Sequence, residues 1–285
     1  MYLAVCTIQR NNAEKIREWI VYHSLVGVSH FYYMAHMCED NTKEVLEQLI
    51  SEGYNIIYCE VNDLLQWYTC QIQFYNQIYN NFGHNHKWMA FIDADEFLVP
   101  VKKENNLIDI LQKYEEKKLS ALGVYWVCYG TSGHILEPSG LVIENYKYRM
   151  KYNHQLPNHY THVPNKHIKS IVKCGLQNVE CYPGNMHIFQ TPDGTFDELL
   201  RPFDLEKPYW FYDYDREPSH TEIRINHYAT MSLESSIKKA RFRINAYSAN
   251  FNIQSETEWI RNFDINDEYD DIMDRFVPLV KEKML

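Results

Sequence analysis

Phe91-Ile92-Asp93-Ala94-Asp95-Glu96-Phe97-Leu98-Val99-Pro100 decides the fold of this chain. An apolar run led in by Trp88, Met89 and Ala90 stops at three carboxylates within four positions. Residues 88–92 read as a strand buried on both faces, whose interior cannot hold unpaired charge. The carboxylates therefore emerge at its C-terminal end, where open α/β sheets bind their ligands. Asp93 and Asp95 alternate by two, so continued strand geometry points both to the same side. Two hard oxygen donors converging on one point suit Mg²⁺ or Mn²⁺, which keeps its remaining positions for water and a diphosphate. A solvated turn explains many isolated Asp-x-Asp pairs. A surface turn is not bracketed by two core segments, however, and Phe97 to Val99 resume the apolar pattern.

Upstream of that strand the pattern alternates. Residues 2–8 are a short β-rich run, followed by Ala13, Ile16, Ile20 and Leu25 near one helical face, with Gly27 placed to end the helix. A strand at 30–36 leads to Asp40-Asn41-Thr42, any of which caps a helix over 43–52. Residues 55–60 form a third strand and 67–82 an amphipathic helix. Strand and helix in alternation imply right-handed crossovers and a mostly parallel sheet. No G-x-G-x-x-G follows the first strand, so the dinucleotide fingerprint is absent. Beyond about residue 118, short β-like runs at 120–128, 141–149, 167–173 and 185–190 are separated by loops. Residues 152–166 and 191–220 read as irregular functional loops; a strand at 222–228, a helix over 232–247 and an acidic helix near 267–283 complete the pattern. The expectation is one domain: a nucleotide-binding half (1–100), an acceptor half (101–231) and a C-terminal helical part (232–285).

Charge narrows the partners. A net charge of −10 over 285 residues argues against nucleic-acid binding, which needs a basic face, but leaves room for a nucleotide-sized ligand neutralised by a metal. Seven scattered cysteines without a C-x-x-C pair argue against a disulfide framework or a zinc site. With no apolar stretch near 18 residues and Met1 leading into a strand, the reading is cytoplasmic, with peripheral attachment at the inner membrane face left open.

These features together resemble GT-A-fold glycosyltransferases, and more narrowly glycosyltransferase family 92 and its bacterial family-2-like relatives. Glu18-Trp19-Ile20, Tyr22-His23 and Gly27 match that family's first helix, and Asp93-Ala94-Asp95-Glu96-Phe97-Leu98 its metal motif. Trp126, Gly130, Ser132 and Gly133 resemble its aromatic-glycine loop. Lys169-Ser170-Ile171-Val172, Asn226-His227-Tyr228, Ser232 and Lys238 match its later blocks. Arg10-Asn11-Asn12 lacks the family's acid, Ala35-His36 replaces its Asp-Asn, and Met231 stands where a lysine is usual. The first two departures fall where such folds contact the nucleoside, so the base stays open. The resemblance implies a GT-A-like Rossmann-type α/β fold. It also implies metal-dependent, inverting transfer of a sugar from a nucleoside-diphosphate donor to a glycan or glycolipid acceptor. Galactose from UDP-galactose is the indicated donor.

The chemistry assigns roles. Asp95 is expected to bind Mn²⁺ or Mg²⁺ directly, and Asp93 to reach the ion or the ribose through water. Of thirteen histidines, His227 is the expected third ligand because it ends a β-like run, with His187 the competitor. Thr7, Arg10 and Asn11, around the first strand, are expected nucleotide contacts. Lys238, Arg241 and Lys169 are expected diphosphate contacts, against a solvated basic face as the simpler account. Inversion needs a carboxylate to take the acceptor's proton. Asp193, Glu137 and Asp197 are the candidates, with Asp193 preferred. Trp126 and Tyr129 are candidate stacking platforms for an acceptor sugar. A haloacid-dehalogenase-like phosphatase would need an aspartate after the first strand and a threonine where Phe97 stands. A non-catalytic carbohydrate-binding protein with a degenerate site is the remaining alternative.

Overall fold

The computed structural model describes residues 1–62, 67–104, 106–154, 164–204, 216–246 and 253–285. Parts of the two expected loops, 155–163 and 205–215, and position 247 of the expected late helix lie outside the described residues. The elements in chain order are β1 (Leu3–Gln9), α1 (Ala13–Leu25), β2 (His30–His36), α2 (Thr42–Ser51), β3 (Ile56–Val61), α3 (Trp67–Phe82), β4 (Trp88–Phe91) and β5 (Glu96–Pro100). There follow α4 (Leu107–Gln112), β6 (Ala121–Cys128), α5 (Val142–Asn145), β7 (Tyr148–Arg149), β8 (Ile168–Lys173), β9 (Glu180–Cys181), β10 (Phe189–Gln190) and β11 (Thr195–Phe196). Last come β12 (Ile223–His227), α6 (Leu233–Ala246), α7 (Ile253–Phe263), β13 (Glu268–Tyr269) and α8 (Val277–Met284).

The main sheet runs β3-β2-β1-β4-β8-β6-β12-β5, with β11 beside β6. β1 to β4 are mutually parallel, β6 and β12 run with them, and β8 and β5 run against them. This is the mostly parallel, helix-flanked α/β architecture expected from the sequence. Burial on both faces explains its legibility. Leu3 and Val5 of β1 enter one core cluster and Ala4, Cys6 and Ile8 the other; in β4, Trp88 and Ala90 oppose Met89 and Phe91 in the same way. The strand directions bring the C-terminal ends of β1, β4, β6 and β12 and the N-terminal ends of β5 and β8 to one rim.

β5 is an edge strand, and α1 covers it. The Trp19 indole donates to the Glu96 carbonyl (2.8 Å), Tyr22 Oη to the Leu98 carbonyl (2.9 Å), and the Leu98 amide donates to His23 Nε2 (3.2 Å). Side chains thus satisfy the row of groups that an unpaired edge leaves open. Glu18 accepts from the Val142 and Ile143 amides at 2.7 and 2.9 Å, fixing the start of α5. Burial raises its carboxyl to about 7. The first-helix block is therefore a fastening strip.

Some sequence expectations fail. The run 141–149 is α5 followed by the two-residue β7, and 185–190 contributes only the two residues of β10. The acidic helix near 267–283 is β13, turns and the shorter α8, while α7 was not foreseen. Among the described residues no helix is long and apolar enough to cross a membrane.

Candidate active site

β4 ends at Phe91, and the chain turns at Asp93 to Glu96, closed by the Glu96 amide donating to the Asp93 carbonyl (3.0 Å). Strand geometry is therefore not continued, and the two aspartates face different neighbours. Asp93 keeps the parity of Phe91 and turns towards α3, where the Gln71 amide donates to its Oδ1 (2.9 Å). Its Oδ2 accepts from Lys169 Nζ (2.8 Å). Asp95 faces α6 and β12: its Oδ2 pairs with Lys239 Nζ, and its Oδ1 lies 3.6 Å from His227 Nε2. Strand register dictates the last contact, because His227 sits opposite Glu96 on β5 and the Tyr228 amide donates to the Asp95 carbonyl (2.9 Å).

Electrostatics separates the three acids. Burial pushes the Asp93 carboxyl up, but the Lys169 ammonium outweighs it and leaves Asp93 below its ordinary value. At Asp95 burial also raises, and Lys239 with His227 holds the carboxyl well below the usual carboxylate range. Glu96 does not emerge with them. It is fully buried at the start of β5, accepts from the Asp93 amide (2.8 Å), and burial pushes its carboxyl well up. The rim thus presents two ionised carboxylates, with Glu96 beneath them.

The expected residues divide. Thr7 is buried at the end of β1, its hydroxyl without a partner among the described residues. Asn11 adopts φ 52° and accepts from the Glu39 amide (2.7 Å), while Arg10 meets the Glu39 carboxylate at 3.4 Å. These residues join the loops after β1 and β2 at the same rim. His227 and His187 are both brought in, against the two sides of Trp126's neighbourhood: their ring centroids lie 4.2 and 5.2 Å from its indole, and His167 stacks on it at 4.9 Å. His187 gives a ring nitrogen to the Ile168 carbonyl (2.8 Å), and burial lowers its pKa to about 3.

The structure places the other expected residues away from the rim or commits them to protein partners. Asp193 lies at the opposite end of the sheet: its amide donates to Ser120, just before β6 begins, so the length of that eight-residue strand, roughly 25 Å, separates it from the rim. Asp197 is fully buried, paired with Arg201 (2.6 Å) and Arg216 (3.9 Å). Lys169 is only 1% exposed and committed to Asp93, so it acts on a ligand through that carboxylate and not by direct contact. Lys238 pairs with Glu234 on the outer face of α6 (3.1 Å), and Arg241 is exposed. Lys239, one position on, holds the site. Tyr129 is buried against Tyr228 and accepts from Arg224 (2.8 Å), and Trp126 is 6% exposed, so neither presents an open ring face. Glu137 stays on the site side, held by Lys15 and by the Ser235 hydroxyl (2.9 Å), one turn of α6 before Lys239.

Gln71, Lys239 and His167 were missed. The signal for Lys239 is the buried small stripe Ser232, Ser236 and Ala240, which marks the inner face of α6 at helical spacing. Lys239 flanks that stripe and Lys238 does not. Gln71 and His167 carry no comparable signal.

The donor set bears on a divalent ion. Asp95 and His227 fit: one carboxylate oxygen faces one imidazole nitrogen, and an ammonium already sits on the other oxygen as a cation stand-in. Asp93 has both oxygens engaged, and among the described residues no three histidine, cysteine or acidic side chains converge as a ready metal cluster.

Fold and site define an α/β protein with an acidic, lysine-countered rim at the carboxyl ends of its strands. The chain belongs to glycosyltransferase family 92, whose description matches residues 1–241. Glycosyltransferase family 92 proteins of Oryza sativa subsp. japonica and Ricinus communis are 31% and 25% identical, over 52% and 87% of this chain. Galactan beta-1,4-galactosyltransferase GALS3 of Arabidopsis thaliana is 26% identical over 42% of the chain. The matched segments span 25%, 38% and 25% of those relatives' own lengths. Among solved structures, S. aureus TarS 1-349 in complex with UDP is similar with a TM-score of 0.36 and 14% identity, over 61% of this chain and 47% of that chain.

Proposed function

We propose that the chain transfers a sugar from a nucleoside-diphosphate donor to a hydroxyl of a glycan or glycolipid acceptor, with inversion. The observation that carries this is Asp95, held ionised between Lys239 and His227 at the rim where β1, with Thr7, also ends. Family membership and the galactosyltransferase relative make UDP-galactose the first donor to test.

In this reading Asp95 and His227 would hold Mn²⁺ or Mg²⁺, and Asp93, fixed by Gln71 and Lys169, would reach the ion or the ribose through water. The ion, when bound, neutralises charge on the departing diphosphate. The acceptor oxygen attacks the anomeric carbon as the bond from that carbon to the diphosphate breaks, and the bonding pair leaves with the diphosphate. The acceptor's proton passes to a carboxylate. Of the three candidates, Asp193 and Asp197 lie towards the far end of the sheet, so Glu137 is the base proposed here. Cytoplasmic placement completes the proposal, and cell fractionation tests it against peripheral attachment at the inner membrane face.

The test is a panel of nucleotide sugars assayed for Mn²⁺-dependent hydrolysis and transfer. Asp95→Asn is expected to lose both activities by at least about a hundredfold, and Glu137→Gln to keep donor binding while losing transfer. Full activity in Asp95→Asn rejects the site; a chain that binds glycan but never nucleoside diphosphate is a lectin-like remnant.

A further inference from the structure

We infer that Lys239 is a releasable internal cation that makes divalent-ion binding at Asp95 depend on the nucleoside diphosphate. The inference rests on the proposed function and concerns the same site. Two lysines neutralise the two aspartates, and they differ in kind. Lys169 is 1% exposed and hemmed in by Asp93 and Glu96, a permanent part of the interior. Lys239 is 42% exposed. Its ammonium rests on Asp95 Oδ2, 3.4 Å from the Ala229 carbonyl and 5.9 Å from the centre of the Trp259 ring. These are contacts that a four-carbon stem at a solvent boundary can exchange for others.

The occupied position is the one a divalent ion needs. His227 Nε2 stands 3.6 Å from the other oxygen of Asp95, beyond hydrogen-bonding range, and His227 Nδ1 is buried without a partner among the described residues. The two donors are assembled, and an ammonium satisfies the charge. An ion arriving alone must displace that ammonium into water. A diphosphate arriving with the ion offers Lys239 a second anion beside the first, so the lysine moves from carboxylate to phosphate while the ion takes Asp95. Ion and diphosphate then bind with a coupling that includes the lysine's transfer, and the coupling is reciprocal.

Calorimetric titration of Mn²⁺ into the full chain, with and without saturating UDP, reads this out without any turnover. Lys239→Met is expected to bind Mn²⁺ alone about tenfold more tightly than wild type, and to show about tenfold less enhancement by UDP. Lys239→Arg keeps the charge and is expected to retain the weak ion-alone affinity. Circular dichroism confirms that each variant is folded. Unchanged or weaker Mn²⁺ affinity in folded Lys239→Met overturns the inference even where UDP binds normally. Wild type that binds no UDP at any Mn²⁺ concentration removes the functional reading instead, and the ion-alone comparison still decides whether lysine and metal compete.

Discussion

Asp95 is ionised because the Lys239 ammonium rests on its Oδ2, and His23 is neutral for an equally local reason. His23 Nδ1 meets the Trp19 carbonyl at 2.9 Å while Nε2 accepts from the Leu98 amide at 3.2 Å, so a second proton on the ring would cost the bond that covers the edge of β5. Burial lowers its pKa from 6.5 to about 3. The sign follows from linkage. Below the unfolded value the unfolded chain takes up a proton that the fold refuses, so this group withdraws stability as pH falls from 6.5 towards 3. Buried Glu18, raised to about 7, acts oppositely between 4.5 and 7, so the net slope alone does not isolate His23. Urea unfolding at pH 5 and 7 is expected to show that wild-type stability rises with pH more steeply than that of His23→Gln, by up to about 1.4 kcal/mol per unit. Equal slopes would show that the imidazole is not held neutral. In sequence, Tyr22-His23 carries a family resemblance but gives no hint of this structural duty. Only the fold reveals which strand edge it covers.

Elements differ in how plainly the sequence announces them. β1, β2, β4 and β6 were legible because strands packed on both faces leave largely continuous apolar runs, and β8 and β12 read as shorter β-like runs despite their buried polar residues. The two-residue strands β7, β9, β10, β11 and β13 have no such run and exist through tertiary pairing. α6 was foreseen as a helix, and the family resemblance pointed to Lys238, which pairs with Glu234 on its outer face while Lys239 reaches Asp95. Packing on β6 gives an element-level test. A Cβ on Gly123 would lie 2.7 Å from Phe203 Cε2 and 2.8 Å from Ile168 Cδ1, closer than folded side chains tolerate. Gly123→Ala is expected to destabilise by about 1–3 kcal/mol through overpacking, read as a lower thermal midpoint. An unchanged midpoint would mean that the ring moves away freely.

At the scale of the whole molecule, strand direction decides which residues meet. β8 and β5 run against the others, so Lys169 and Glu96 from strand beginnings meet Asp93 and His227 from strand ends. Asp193 failed as a candidate on this point. Its turn has suitable chemistry, but the chain after β10 returns to the far end of the sheet, and no local pattern states which end a loop reaches. The acidic rim was readable because three carboxylates within four positions end a buried apolar run, whereas its counter-charges come from β8 and α6, far along the chain. Sugar transfer at this site requires a divalent ion and a nucleoside diphosphate to meet at that rim. Anomalous diffraction from crystals soaked with MnCl₂ and UDP tests it most directly. The expected result is a manganese peak bonded to Asp95 and His227 and to the diphosphate, with Lys239 drawn off Asp95. Bound UDP with Lys239 still paired to Asp95, and no manganese between them, would contradict it.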